Sequence, residues 1–123
     1  MKFDIPILLI VFNRPDKTKK ILQILEKLEP KYLFISADGP RKNNKNDVFL
    51  CEEVKQIVSK INWECQLKTQ FNKDNLSLKK NVIQSINWFF KNVEHGIILE
   101  DDCLPSLNFF DFCEKLLKKY QFE

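Results

Sequence analysis

The chain has 123 residues, which suits one compact domain and leaves too few for two. Hydrophobic residues make up 44% of it, including eleven Phe, so a hydrophobic core can form. The net charge is only +3 and the lysines are spread along the chain, which argues against a dedicated nucleic-acid surface but allows a local basic pocket for phosphate. With only two Gly, the Gly-rich phosphate loops of dinucleotide-binding and P-loop proteins are excluded.

Cysteine usage and the apolar runs bear on the cellular compartment. No two of the four cysteines have C-x-x-C spacing and the chain has one histidine, so we expect free thiols and no zinc site. The N-terminal apolar run contains Pro6 and ends at Asn13-Arg14, unlike a signal peptide, and no run reaches membrane-spanning length. These features predict a cytoplasmic protein and leave peripheral attachment to the inner face of the membrane open.

The first part of the chain predicts a strand, a helix and a second strand. The stretch from Ile5 to Phe12 is almost uninterrupted apolar sequence, typical of a central strand covered on both faces. Pro15 suits the first turn of a helix, and Pro30 ends that helix. The stretch from Tyr32 to Ala37 predicts the second strand. The apolar face of the helix comprises Ile21, Leu22, Ile24, Leu25 and Leu28.

The middle of the chain predicts a loop, a helix and a third strand. Asp38-Gly39-Pro40 has the composition of a turn, and the lysine-rich segment from Arg41 to Asn46 is predicted to be mobile. Asp47 is predicted to cap the next helix. Alternation from Trp63 to Thr69 predicts a strand less buried than the first. The predicted buried face of the second helix is Leu50, Val54, Ile57, Val58 and Ile61.

The last part of the chain predicts a helix, a fourth strand and a final helix. The apolar run from Gly96 to Leu99 predicts a buried strand. The helix before it has the apolar face Leu78, Val82, Ile86, Phe89 and Phe90, and the helix after it has the stripe Leu107, Phe110, Cys113, Leu116, Leu117 and Tyr120. Strands that alternate with helices predict an α/β fold, a Rossmann-like parallel sheet with helices on both faces.

Three adjacent carboxylates, Glu100, Asp101 and Asp102, directly follow the fourth predicted strand. In open α/β sheets, ligands bind just beyond the carboxyl ends of the strands. Adjacent carboxylates repel one another unless they share a cation, and the hard cations Mg²⁺ and Mn²⁺ prefer oxygen ligands. The triplet therefore predicts an Mn²⁺ or Mg²⁺ site, and a solvated acidic turn is the alternative.

Other polar residues are expected at the same edge of the sheet: Asn13 and Arg14 after the first strand, Asp38 after the second, and Lys73, Asn75, Lys79 and Lys80 before the third helix. Cations would offset the charge of a nucleoside diphosphate, and an aspartate can accept a hydrogen bond from a base or ribose. Each residue also has a structural interpretation: a solvated surface side chain for Arg14, Lys79 and Lys80, a turn for Asp38 and a helix N-cap for Asn75.

Four segments resemble the nucleotide-sugar-binding half of GT-A-type glycosyltransferases, most closely the bacterial enzymes of the family 2 kind: PILLIVFNRP, ISADGP, KDNLSLKKNV and GIILEDDCLPSLNFFDFC. The acidic triplet is similar to that of N-acetylglucosaminyltransferases. The resemblance implies a GT-A-type fold, a nucleotide-diphospho-sugar donor, an Mn²⁺ or Mg²⁺ cofactor and a glycan or lipid-linked sugar as acceptor. It also implies that the chain is the N-terminal, donor-binding portion of a longer or truncated domain, because the acceptor-binding half has no counterpart here.

The resemblance carries over to individual positions. Asp102 matches the acid that binds the metal, while Glu100 and Asp101 match its partners at the sugar or ribose and the metal shell. Asp38 matches the acid that reads the nucleobase. At Leu76-Ser77 many relatives carry a Gly. Four further positions match pocket residues of the family: Asn13 and Arg14 at the nucleoside, and Asn75 and Lys79 near the diphosphate and sugar.

Two other functions are compatible with alternating strands and helices. A phosphoacceptor receiver domain would need acids after the first strand and an aspartate after the third, where this chain has Asn13-Arg14 and Gln70-Phe71. A metal-dependent phosphohydrolase would need further ligands on other strands. The leading hypothesis, which the resemblance implies, is a sugar-nucleotide-dependent glycosyltransferase, or its donor-binding half, for polysaccharide or glycan synthesis.

Overall fold

Four strands alternate with four helices along residues 3–120, the part of the chain that the computed structural model describes. In chain order the elements are β1 (Ile7–Val11), α1 (Pro15–Leu28), β2 (Tyr32–Ala37), α2 (Lys45–Val58), β3 (Gln66–Phe71), α3 (Leu78–Asn92), β4 (Ile97–Glu100) and α4 (Leu107–Tyr120). β1 is shorter than the predicted strand because Pro6 has no N–H to donate to a neighbouring strand.

The four strands form one sheet in the order β3-β2-β1-β4, and every neighbouring pair is parallel. Leu9 at the centre of β1 lies opposite Ile35 on one side and Leu99 on the other. The chain moves outward from β1 through β2 to β3, and then returns to add β4 on the free side of β1. This confirms the predicted Rossmann-like α/β fold, and the reversal of direction lies between β1 and β4.

The core has two layers, one on each face of the sheet. α1, α2 and α4 cover the face that carries Ile7, Leu9 and Val11, whereas α3 covers the face that carries Leu8 and Ile10. All five residues of β1 are buried, which confirms that it is a central strand covered on both faces. Burial of an apolar side chain contributes about 1.5–3 kcal/mol, so this strand is a large share of the core.

α3 contacts the sheet through part of the predicted apolar face, because Phe89 is buried and Val82 and Ile86 pack beside it. Its fully buried residues are Asn81, Ser85 and Phe89, while Leu78 and Phe90 are exposed, so their predicted burial is wrong. A hydroxyl pair is one reason, because Ser85 Oγ lies 2.6 Å from Ser36 Oγ on β2 and draws that side of the helix onto the sheet. Leu78 belongs to the first turn and lines a cavity beyond the ends of the strands.

β4 and α4 are less buried than predicted because they lie at the edge of the molecule. Ile97 and Leu99 are buried, but Ile98 is 38% exposed, because it lies at the edge of the sheet, outside the cluster that α3 forms with Leu8 and Ile10. In α4 only Phe110 is fully buried, with Cys113 and Leu117 packed beside it. The predicted burial of the remaining stripe is wrong: Leu107, Leu116 and Tyr120 are exposed.

Two boundaries also differ from those predicted. The indole N–H of Trp63 donates to the carbonyl of Pro30 at 3.2 Å, which holds Trp63 in the connection, so β3 begins at Gln66. β3 is mostly exposed, which confirms that it is less buried than β1. α2 begins at Lys45 after Asn44, whose side chain accepts from the backbone N–H of Asp47 at 2.9 Å. Asn44 is therefore the N-cap and the assignment of Asp47 to that position is wrong.

The four cysteines are free thiols, as predicted. Within residues 3–120, no helix is both long enough and apolar enough to cross a bilayer.

Replacing Gly96 with alanine tests the close contact between the start of β4 and Phe89 of α3. A Cβ atom at Gly96 would press against the ring of Phe89, which is fully buried, and would lie 2.9 Å from the carbonyl oxygen of Pro6. We expect Gly96→Ala to lower the free energy of unfolding by about 1–3 kcal/mol in urea denaturation. His95→Ala, at an exposed neighbouring position, is the control and should change it by less than about 0.5 kcal/mol. Equal stabilities of the two variants would contradict the packing described.

Candidate functional site

A cavity of about 700 Å³ opens at the carboxyl ends of the strands, where the direction of the chain reverses between β1 and β4. This is the position at which open parallel sheets bind ligands. Seven residues predicted for the site line it: Asn13, Arg14, Asp38, Asn75, Glu100, Asp101 and Asp102. Lys79 is exposed on α3 and is not among the lining residues, and neither are Lys73 and Lys80.

The acidic triplet forms a turn with one buried carboxylate. The backbone N–H of Cys103 donates to the carbonyl of Glu100 at 3.1 Å, which closes a tight turn over the triplet. Glu100 and Asp102 are exposed, but Asp101 is only 8% exposed. Burial raises the pKa of the Asp101 carboxyl above its usual value, and the charges of Asp102 and Glu100 raise it further, while Arg14 and Lys17 partly oppose the shift. The alternative of a fully solvated turn therefore describes Glu100 and Asp102 but not Asp101.

The donor set at this end of the cavity suits a cation that is shared with a ligand. Among residues 3–120, no three His, Cys, Asp or Glu side chains converge as a complete metal-binding group. Mg²⁺ usually takes one or two protein carboxylates and completes its shell with substrate phosphates and water. Asp101 and Asp102 can supply those carboxylates, and a cation there would offset the repulsion within the triplet.

Asp38 organises the connection between β3 and α3. Its Oδ1 accepts from the backbone N–H groups of Gly39 at 2.9 Å and Leu76 at 3.0 Å, and from Asn72 Nδ2 at 3.1 Å. Its Oδ2 accepts from Asn75 Nδ2 at 3.0 Å. A carboxylate has about four lone-pair sites, so the protein already occupies most of this acceptor. Asp38 is therefore a buried carboxylate at the wall of the cavity that holds the connection between β3 and α3 in place, and residues 38–40 do not form the turn that their composition predicted.

Asn75 does not cap α3, so that interpretation is wrong. Its Nδ2 also donates to the carbonyl of Gly39 at 3.0 Å, and its Oδ1 accepts from the backbone N–H of Ser77 at 2.9 Å. Ser77 occupies the N-cap position and its hydroxyl makes no capping hydrogen bond. Asn75 instead joins the loop after β2 to the start of α3.

Ser77 has a strained backbone at the mouth of the cavity. Its φ of 73° and ψ of 158° lie in a region that is essentially restricted to glycine and costs about 1–3 kcal/mol for other residues. Asn75 and Asp38 hold the neighbouring N–H groups in place, so the surrounding hydrogen bonds impose this conformation. Such strain collects at ligand sites more often than elsewhere.

A second buried carboxylate, Asp47, lies beside the cavity and was not predicted to belong to the site. Arg41 donates to it from Nε at 2.6 Å, from Nη2 at 3.0 Å and from its backbone N–H at 3.0 Å. Asn13 Nδ2 donates to its Oδ1 at 3.0 Å. The hydrogen bond from the Arg41 side chain holds the pKa of the Asp47 carboxyl far below its usual value. The segment that follows Arg41 is thus anchored at its start by these hydrogen bonds.

No family model matches the chain, and no curated protein matches it.

Replacing Asp101 with asparagine should stabilise the free protein at neutral pH. Burial disfavours the ionised carboxylate in the folded state, which raises its pKa, so a neutral side chain of the same shape removes that cost. The gain should be largest at pH 7 and should shrink as the pH falls through the pKa of Asp101, because the wild-type carboxyl is then protonated as well. Thermal denaturation in buffers from pH 7 down to pH 4 measures this difference.

Asp111→Asn is the matched control, because Asp111 is an exposed carboxylate on α4, away from the triplet, and its neutralisation should change stability by less than about 0.5 kcal/mol. A melting temperature of Asp101→Asn at pH 7 that is equal to or below that of the wild type would contradict the burial cost.

Replacing Ser77 with glycine should relieve about 1–3 kcal/mol of backbone strain and add about 0.5–1 kcal/mol of chain entropy cost, so the free energy of unfolding should rise by about 1–2 kcal/mol. Ser59→Gly is the control, because Ser59 has an ordinary helical φ of −71°; glycine there adds chain entropy and removes the hydrogen bond from the Ser59 hydroxyl to the carbonyl of Gln56, so stability should fall by about 0.5–1 kcal/mol or more. Chemical denaturation of both variants measures the two effects. The same sign of change in both would show that Ser77 is not strained.

Proposed function

We propose that this chain binds a nucleotide-diphospho-sugar donor together with Mn²⁺ or Mg²⁺, for glycosyl transfer to an acceptor hydroxyl in polysaccharide or glycan synthesis. One observation carries the proposal: the same cavity is lined by the acidic triplet after β4 at one end and by Asn13 and Asp38, after β1 and β2, at the other. The resemblance of the strand-end segments to GT-A-type glycosyltransferases supports the same function.

The two ends of the cavity suit the two ends of a nucleoside diphosphate. β1 lies between β2 and β4, and neighbouring strands are about 4.8 Å apart, so the acidic end and the Asp38 end are separated by about 10 Å. That separation fits a diphosphate at β4 and a nucleoside near β1 and β2. Arg14 follows β1, between the two ends, and its charge acts on Asp101.

The acidic end supplies the metal ligands in this proposal. Asp102 is exposed and is the metal ligand implied by the resemblance, while Glu100 and Asp101 contact the sugar or ribose and the metal shell. When bound, the cation offsets the charge of the diphosphate leaving group. Asn13, Arg14 and Asp38 surround the nucleoside, and Asn75 contributes by holding the wall near the start of α3. The exposed Lys79 can approach phosphate only from outside the cavity wall.

The order of the strands favours this function over a receiver domain. Receiver domains have the flavodoxin-like order 2-1-3-4-5, whereas residues 3–120 have the order 3-2-1-4 of the first Rossmann half. β3 ends in Gln70 and Phe71, so it offers no phosphoacceptor aspartate at its carboxyl end. A phosphohydrolase has no specific support, because the described acids that line the cavity follow only two strands, β2 and β4.

The proposal includes a cytoplasmic location, peripheral to the inner face of the membrane, where lipid-linked or glycan acceptors are assembled. The free cysteines support a reducing compartment. A glycan or lipid-linked sugar is the proposed acceptor, and nucleic acid is not a proposed partner.

Isothermal titration of a panel of nucleoside diphosphates, with and without Mn²⁺, tests this function. We expect at least one of them to bind about tenfold more tightly or better with Mn²⁺, because the cation cancels repulsion between the carboxylates and the diphosphate. Mn²⁺ alone should bind weakly, since the protein provides an incomplete shell. Asp102→Asn should remove most of the metal effect and leave the fold unchanged.

Asp111→Asn is the control for Asp102→Asn, because Asp111 is an exposed carboxylate on α4, paired with Lys115, outside the cavity lining. Equal affinities with and without Mn²⁺ in the wild type would contradict the metal-bridged site. Absence of binding by every nucleoside diphosphate in the panel would contradict the donor-binding function.

A further inference from the structure

Asp47 is a buried charge whose hydrogen bonds all lead to the cavity wall or to the start of α2. Its side chain is 1% exposed and receives Nε and Nη2 of Arg41 in a bidentate arrangement. A bidentate guanidinium–carboxylate pair fixes the plane of the guanidinium as well as its position. Arg41 itself is 56% exposed and lines the cavity, so its remaining N–H groups are available to a ligand.

The ring of Phe12 forms a second wall for the same guanidinium. Arg41 Cζ lies 5.9 Å from the centroid of Phe12, which also lines the cavity. A guanidinium held between a carboxylate and an aromatic ring has few alternative rotamers, so little further entropy is lost when it binds a ligand. Arg41 is therefore preorganised although it is an exposed arginine in a loop.

Asp47 also determines which atom of the Asn13 side chain can accept a hydrogen bond from a ligand. Asn13 Nδ2 donates to Asp47 Oδ1, which fixes the orientation of the amide. With that nitrogen committed to Asp47, Asn13 Oδ1 is left as an acceptor at the cavity wall. The same buried carboxylate thus places a donor, Arg41, and an acceptor, Asn13, side by side.

This pair lies at the end of the cavity away from the acidic triplet. Arg41 follows β2 and Asn13 follows β1, whereas Asp102 follows β4 on the other side of β1. The charge of Arg41 is already balanced by Asp47, so it suits a neutral oxygen better than a phosphate.

We infer that Asp47 is a positioning residue that sets Arg41 and Asn13 as a donor–acceptor pair for the nucleoside portion of the ligand. This inference rests on the proposed function, since it assigns the diphosphate to the β4 end. Arg41 donates to a carbonyl or hydroxyl oxygen of the nucleoside, and Asn13 accepts from one of its N–H or O–H groups.

Calorimetric titration of four proteins tests the inference: the wild type, Arg41→Lys, Asp47→Asn and the double variant. The probes are the nucleoside diphosphate of the panel that binds most tightly and the matching nucleoside, which carries no phosphate, each with and without Mn²⁺. Arg41→Lys retains the charge but not the bidentate geometry, and its exposed position keeps the fold intact. We expect each single variant to weaken binding about tenfold, and the double variant to be no weaker than the single ones.

The loss should be the same factor for both probes and independent of Mn²⁺, because Arg41 acts on the part that the probes share. A larger loss for the diphosphate would place Arg41 at the phosphates and overturn the assignment. Unchanged affinity for Arg41→Lys, or a lowered melting temperature of Asp47→Asn with unchanged affinity, would show that the cluster only stabilises the fold. Asp111→Asn, which removes an exposed ion pair, is the control and should bind like the wild type.

If the wild type binds no member of the panel, the proposed function fails and this inference fails with it. Binding by the wild type that Arg41→Lys retains in full overturns this inference alone.

Discussion

The site depends on the burial of β1. Five consecutive apolar residues, Ile7–Val11, have a neighbouring strand on each side and a helix layer on each face. That arrangement is stable only when β2, β4 and both layers are present, so the strand cannot shift without exposing apolar surface on one face. The residues that follow it, Asn13 and Arg14, are therefore held at a fixed point, and the acidic turn after β4 and the loop after β2 assemble on either side of them.

Features that depend on a local sequence pattern could be predicted from the sequence. Features that depend on contacts between distant parts of the chain could not. The buried run of β1 and the alternation of strands with helices were correctly predicted because each is encoded within a few residues. The strand order was not predicted, because nothing local to β4 says that it joins the free side of β1. Ile98 and Leu116 have the pattern of core residues, and their exposure depends only on the edge position of β4 and α4. Asp47 resembled a helix cap, since its partner Arg41 lies six residues earlier across a loop whose shape the sequence does not reveal.

The surroundings of two buried carboxylates near the cavity shift their pKa values in opposite directions. Asp47 is surrounded by donors and its ionised form is stabilised, whereas Asp101 is buried beside two other acids and its ionised form is disfavoured. The hydrogen bonds around Asp47 hold Arg41 and Asn13 in place at the wall of the cavity. The burial of Asp101 is a local cost that the rest of the fold offsets, as is the backbone strain at Ser77. Backbone strain and shifted pKa values cluster at functional sites, and both of these costs occur at the cavity.

The hydroxyl pair between Ser36 and Ser85 has a consequence at the other end of α3. Ser85 Oγ donates its hydrogen to the carbonyl of Asn81 at 2.7 Å, so Ser36 is the donor in the 2.6 Å contact between the two hydroxyls. A shift of α3 along the sheet would separate the two hydroxyls. The Ser36 hydroxyl would then be buried without a hydrogen-bond partner, which is costly. This contact therefore fixes the position of α3 along the sheet, and through it β2 determines how far Leu78 and Asn81 extend over the cavity.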